Sequence, residues 1–198
     1  ADLIVPVPDS GVPAALGYAT HSKKHFELGL IRNHYVGRTF IEPTQNIRSL
    51  GVKLKLNSTR TIIKNKSIIL VDDSLVRGTT CHKIVKMLYE SGAKEVHVRI
   101  ACPEIIYPDV YGVDMPTKKE LIELKKNNKE MCDFLNAKTL KFLSLEGLYK
   151  ALINQKRDTK YPQFSDHYFT GDYPIKPHDN INGINVKQLS LLSGKSNN

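Results

Sequence analysis

The chain contains no tryptophan, and its 198 residues hold three cysteines, Cys81, Cys102 and Cys132. The thiols are scattered, without CxxC or other metal spacing. That argues against a zinc ribbon or a disulfide framework and reads as a reduced, cytosolic setting. No apolar run is long enough to cross a bilayer, and the opening residues carry no signal-peptide pattern, so a membrane partner is not expected. Internal repeats are also missing. Gly194-Lys195-Ser196 ends like a P-loop, but Leu189 stands where that motif needs glycine, and no strand precedes it. Acidic residues are in the minority, 20 against 29 basic ones, for a net charge of +9. The lysines are dispersed, and no basic helix with interleaved aromatics stands out, so nucleic acid is not the expected partner. A polyphosphate metabolite or a solvated lysine-rich surface accounts for the excess.

What the chain does have is concentrated between Ser67 and Thr80. The run Ile68-Ile69-Leu70-Val71 has the length and β-branched content of a buried strand. It ends in two adjacent carboxylates, Asp72 and Asp73. Ser74 and the small polar loop Arg77-Gly78-Thr79-Thr80 follow, and a helical pattern runs on to Glu90. Ligands of open parallel sheets sit beyond the carboxyl ends of the strands, which is where this stretch falls. The loop half suits a phosphate: Gly78 permits close backbone approach, Thr79 and Thr80 supply hydroxyls, and the helix start offers N–H donors and a favourable dipole. The acidic half repels a phosphate but accepts from sugar hydroxyls or holds a hard cation such as Mg²⁺. A molecule with both a phosphate and a vicinal diol fits both halves, and a ribose 5-phosphate is the simplest.

The remaining pattern alternates strands and helices, which predicts an α/β fold, an open parallel sheet flanked by helices with right-handed crossovers. Strands are expected near Leu3–Pro8, 28–32, Ser58–Ile63, Lys94–Ala101 and Leu140–Leu143. Helices are expected from Pro13 to Lys24, after a Thr117–Glu120 capping box, and from Ser144 as N-cap to Ile153. Asp9-Ser10-Gly11 lies between a strand and a helix and is a second anion-site candidate. The stretch from Asn33 to Asn57 has the broken pattern of a long lid-like loop. His21 and His25 have metal-ligand spacing for a helix, but no third ligand accompanies them. Residues 1–153 are read as one core, and 154–198 as a loosely packed extension with a disordered end. Ala1 stands almost directly before a core strand, so the chain is expected to be a fragment.

The string Val71-Asp72-Asp73-Ser74-Leu75-Val76-Arg77-Gly78-Thr79-Thr80 resembles the phosphoribosylpyrophosphate (PRPP) signature of type I phosphoribosyltransferases. Its form is that of the glutamine PRPP amidotransferase (amidophosphoribosyltransferase) family. The blocks Val5–Gly11, Gly29–Ile41, Gly51–Asn57, Tyr111–Asp114 and Phe142–Leu148 match in order, with a weaker echo at Phe169–Pro174. The resemblance implies PRPP binding by Asp9, Ser10, Asp72, Asp73, Ser74, Arg77, Gly78, Thr79 and Thr80. It implies Mg²⁺ held with Ser10, Asp72 and Asp73, and lid residues Tyr35, Arg38 and Lys53 near the reacting centre. The implied reaction transfers ammonia to C1 of PRPP, giving phosphoribosylamine and pyrophosphate in the first step of purine synthesis. Glutamine use would need a glutaminase domain, which is expected to be absent from this chain. The resemblance further implies a cytoplasmic homo-oligomer, in its full-length form, inhibited by purine nucleotides. Asp109 stands where some relatives have a cysteine ligand, and Ser165 and Tyr168 stand near the later pair, so no iron–sulfur cluster is expected. The competing expectations are a non-catalytic PRPP-binding regulator, an inactive remnant and a nucleobase phosphoribosyltransferase.

Overall fold

The computed structural model describes residues 1–33, 56–113, 121 and 127–175. Strand β1 is Leu3–Pro6, helix α1 is Val12–Ser22, and β2 is the short pair His25–Phe26. Strands β3 (Leu30–Arg32) and β4 (Leu56–Ser58) are followed by one helical turn, α2 (Arg60–Ile63). Then come β5 (Ser67–Asp72), α3 (Thr79–Glu90), β6 (Glu95–Ile100), α4 (Asn128–Leu135), β7 (Thr139–Phe142), α5 (Leu145–Ile153) and α6 (His167–Thr170).

Five strands form one sheet in the order β2-β1-β5-β6-β7, and every neighbouring pair is parallel. Strands β3 and β4 pair antiparallel as a separate two-stranded sheet. The order puts β1 beside β5. The chain leaves β1 toward β2 on one side and leaves β5 toward β6 on the other. The β1/β5 boundary is therefore the switch point of the sheet, the place where open parallel sheets take their ligands.

Alternation along the strands explains why this sheet is covered on both faces. Ile4, Ile69 and Val71 point to one side and pack with Ala15 and Ala19 of α1. Leu3, Val5, Ile68 and Leu70 point to the other and join Cys81, Ile84, Val85 and Leu88 of α3. Those α3 positions recur at intervals of three and four, the stripe an amphipathic helix buries. All six residues of β5 are buried. Fully burying each of its four apolar side chains is worth roughly 1.5–3 kcal/mol, which fixes β5 as the central strand. Strand β6 alternates instead: Val96, Val98 and Ile100 are buried, while Glu95, His97 and Arg99 are half-buried.

One strand expectation is corrected. The β-branched stretch after Ser58 is not a strand, because the chain turns through α2, which drives Ile63 fully into the core. Its extended propensity gives way to that burial. Most described residues of the 154–175 stretch are exposed, but Asp166 and His167 are buried. There Arg157 donates to Asp166 at 2.6 and 3.1 Å and to Asp172 at 2.6 Å, and the Tyr149 hydroxyl donates to Asp166 at 2.8 Å. The capping box of α4 also went unread: Asn127 and Glu130 satisfy each other's backbone N–H groups at 2.9 Å. The expected N-cap Ser144 is present and accepts from Gly147 at 3.0 Å. The Thr117–Glu120 capping box lies outside the described residues. His21 and His25 do not share a helix, since α1 ends at Ser22 and His25 lies in β2 against Glu27.

Candidate functional site

The carboxyl ends of β1 and β5 each open into a loop, and the two loops are packed against each other. Val7 donates its N–H to Val71 O at 2.8 Å, one step beyond the last paired residue of β1. The chain then turns through Pro8, Asp9 and Ser10, and Gly11 N–H closes the turn on Val7 O at 2.9 Å. The Pro8–Asp9 peptide is cis. A Cβ at Gly11 would lie 2.5 Å from Val71 O and 2.8 Å from Val7 O. Only glycine permits this approach, which sets Asp9 and Ser10 beside the end of β5. Both are exposed.

On β5 the paired acids sit in different environments. Asp72 is 8 % exposed and still belongs to the strand, while Asp73 is exposed in the loop. The Asp73 N–H donates to Asp72 Oδ1 at 2.9 Å, and Ser74 Oγ donates to Asp73 Oδ1 at 3.0 Å. Burial, and then the neighbouring charge of Asp73, push the Asp72 carboxyl up to about 7. Near neutral pH it is poised between its two forms, and a hydroxyl donor or a cation arriving beside it would favour the ionised one. The field of the pair reaches two thiols. Burial first, and then Asp72, raises Cys81 far above the ordinary range, and burial, then Asp73 and Asp72, push Cys102 up to about 11. Neither is a thiolate nucleophile at neutral pH.

The loop returns to helix through Leu75, buried at 7 % exposure, and Gly78. Gly78 adopts φ 73°, the left-handed region, and stands as N-cap of α3. No side chain caps this helix end. Its first-turn N–H groups therefore remain donors for a ligand anion, with the exposed hydroxyl-bearing Thr79 and Thr80 beside them. Arg77 is exposed.

The structure thus brings Asp9 and Ser10 to the same rim as Asp72, Asp73, Ser74, Arg77, Gly78, Thr79 and Thr80. Tyr35, Arg38 and Lys53, together with Phe40 and Ile41, lie outside the described residues. Arg32 was missed. It ends β3, in the other sheet, and its Nη1 donates to the Asp9 carboxylate. The available signal was its place just before the irregular 33–57 stretch, inside the Gly29–Ile41 block. Among the described residues no group of three His, Cys, Asp or Glu side chains could hold a metal. A cation at Asp72 and Asp73 would need oxygens from Ser10 or from a ligand to complete its shell.

A second polar cluster is built on the Asp109, Ser165 and Tyr168 positions singled out by the resemblance, joined by His167, which was not. Asp109 Oδ1 accepts from Tyr168 OH at 2.9 Å and meets His167 Nε2 at 3.0 Å. Its Oδ2 accepts from the N–H groups of Tyr111 and Val113 at 2.8 and 2.7 Å. Burial by itself raises the Asp109 carboxyl, but these hydrogen bonds outweigh it and hold it at about 2. Ser165 Oγ lies 3.0 Å from His167 Nδ1, so every polar atom of the imidazole is used. With both carboxylate oxygens engaged, Asp109 acts as a structural hub that ties the 103–113 loop to α6. Its neighbour Tyr107 sits so close to Gly171 that a Cβ there would meet the ring at 2.9 Å.

A profile of the phosphoribosyl transferase domain family matches residues 1–128. The amidophosphoribosyltransferase of Rhizobium etli is 53% identical over 98% of this chain and 39% of its own length. Amidophosphoribosyltransferase 2, chloroplastic, of Arabidopsis thaliana is 53% identical over 89% of the chain and 30% of its own. Among solved structures, the glutamine PRPP amidotransferase from B. subtilis complexed with ADP and GMP superposes with a TM-score of 0.77 at 45% identity. That match covers 91% of this chain and 40% of that one. The chain therefore spans well under half the length of these relatives.

Proposed function

This chain belongs to the phosphoribosyl transferase domain family and corresponds to that domain of amidophosphoribosyltransferases, and from that premise we propose that it binds PRPP and transfers ammonia to its C1. The reading is carried by one observation: two loops meet at the β1/β5 switch point, one bearing twin carboxylates before an uncapped helix start, the other Asp9-Ser10. Thr79, Thr80 and the first-turn amides of α3 take the 5-phosphate, with Arg77 beside them. Asp72, Asp73 and Ser74 face the ribose hydroxyls. Asp9 and Ser10 take the diphosphate end. Tyr35, Arg38 and Lys53 are assigned there as lid residues on resemblance alone. Ser10, Asp72 and Asp73 are the residues that would hold Mg²⁺. The carboxylate pair, whose buried member resists ionisation, fits a divalent cation shared with the ligand. Such an ion supplies charge neutralisation of a diphosphate leaving group.

In the reaction the nitrogen lone pair of ammonia forms the bond to C1. The C1–O bond breaks, and its electron pair departs with pyrophosphate. Positive charge builds on the ring, so the protein's work is orientation, stabilisation of the leaving group and exclusion of water. Neither the thiols nor any other side chain of the described rim is required as a nucleophile. Use of glutamine, assembly into oligomers and a cytoplasmic location are proposed for the longer protein. Among the described residues no helix is long and apolar enough to cross a membrane. Purine nucleotides are proposed as competing ligands, since a nucleoside monophosphate carries the same ribose 5-phosphate.

The test is pyrophosphate release from PRPP with Mg²⁺ and ammonia. Release should require all three components and fall by at least ~100-fold in Asp73→Asn. Asp73→Asn releasing pyrophosphate at the unaltered rate would refute the assignment. Tight PRPP binding without release would favour a sensor instead.

A further inference from the structure

The pairing of Arg32 with Asp9 raises a question that the PRPP reading leaves unanswered. An exposed carboxylate at a diphosphate subsite is electrostatically wrong, because it repels the ligand. Asp9 is such a carboxylate, with its side chain 54% exposed. Arg32 comes from a different sheet, reaches the loop from outside and donates through Nη1 to Asp9 Oδ2. Its side chain is 30% exposed, and its Nε is buried without a hydrogen-bond partner. Here the guanidinium spends one donor on Asp9, and part of the side chain stays open to an arriving ligand.

We propose that Arg32 is a positioning residue for the diphosphate end of the site: it neutralises and aims Asp9, and the exposed part of its side chain offers charge to an arriving diphosphate. The inference rests on the PRPP reading and specifies which half of the ligand Arg32 serves. The planar fork of arginine suits this double duty, with one edge on a carboxylate and another on a phosphate oxygen. Arg32 stands on β3, in the other sheet, and its hydrogen bond goes to the Asp9 loop, so the 5-phosphate end should not sense it.

Calorimetric titration of the 198-residue chain with two probes, Mg²⁺-pyrophosphate and ribose 5-phosphate, separates the ends. Arg32→Gln should weaken Mg²⁺-pyrophosphate binding about 10-fold or more and leave ribose 5-phosphate within about twofold, which also certifies the fold. Arg32→Lys should recover part of the loss, since it restores the charge but not the fork. Adding Asp9→Asn to Arg32→Gln should also recover part of it, because the uncompensated carboxylate is then gone. Equal loss of both ligands, no loss of either, or no recovery in the double variant would overturn the proposal. If the unaltered chain binds ribose 5-phosphate but not Mg²⁺-pyrophosphate, the proposal fails and the phosphate half stands. If it binds neither, the PRPP reading itself fails and carries the proposal with it.

Discussion

Replacing Gly11 by alanine adds one methyl group to the site loop, and the structure says where it lands. The new Cβ would lie 2.5 Å from Val71 O, 2.8 Å from Val7 O and 3.1 Å from Val7 N. All three neighbours are backbone, so no side chain can swing away. Relief to an ordinary contact of about 3.4 Å requires the Val7–Gly11 turn to move off β5 by nearly an ångström, which breaks or lengthens the Val7–Val71 hydrogen bond of 2.8 Å. Overpacking of this kind costs roughly 1–3 kcal/mol, and a lost backbone hydrogen bond adds about 1 kcal/mol. Unfolding entropy scales as about 2.1 cal/mol/K per residue, or roughly 0.4 kcal/mol/K for a chain of this size. A loss of about 3 kcal/mol then lowers Tm by roughly 7 °C. Gly17→Ala is the control. Gly17 lies inside α1 with nothing within 4 Å of its would-be Cβ, so alanine there should raise Tm by about 2 °C. The assay is thermal unfolding by circular dichroism, paired with Mg²⁺-pyrophosphate titration. Gly11→Ala should lose affinity for pyrophosphate as well as stability. An unchanged Tm with unchanged affinity would show that the loop does not lean on β5, and the site geometry would be wrong.

Asp72→Asn should trade function for stability. Because the folded carboxyl is raised to about 7, the fold loses stability as pH climbs from about 4 to 7, by up to about 4 kcal/mol. The variant should therefore gain more Tm at pH 8 than at pH 5 while losing ligand binding, and a gain confined to acid pH would contradict the assignment. Asp109 has the opposite sign. Held at about 2, it contributes stability that is complete above pH 4 and is lost as pH falls toward 2, about 2 kcal/mol in all. Asp109→Asn should flatten the fall of Tm between pH 4.5 and 2, and an undiminished slope would show that the hub is not the acid-sensitive element. The Asp73→Asn turnover assay and the Arg32 titrations complete the set.

The two halves of the candidate site were not equally legible. Strand, paired acids and helix start are contiguous between Ser67 and Thr80, and local pattern names them together. The helix–strand order likewise specified a parallel sheet. Ser58–Ile63 misled because β-branched residues suit a strand, and only the need to bury Ile63 beneath α3 decides for a helical turn. The Arg32–Asp9 pair and the part of His167 in the Asp109 hub were invisible because the partners lie 23 and 58 positions apart in the chain. Within the polar stretch after Asn154 the half-buried Arg157 pairs with the buried Asp166, a contact between positions nine apart that local composition does not show.

By itself the chain of residues settled the alternation of elements, the glycine turn that starts the helix at Gly78 and the buried strand before it, since these depend on neighbours in sequence. Tertiary structure decided that β1 lies beside β5, that Gly11 must touch Val71, that one acid of the pair is buried while the other is exposed, and that Arg32 reaches Asp9. Those are contacts between distant segments, and their strength comes from desolvation and close packing, which no local pattern of residues encodes.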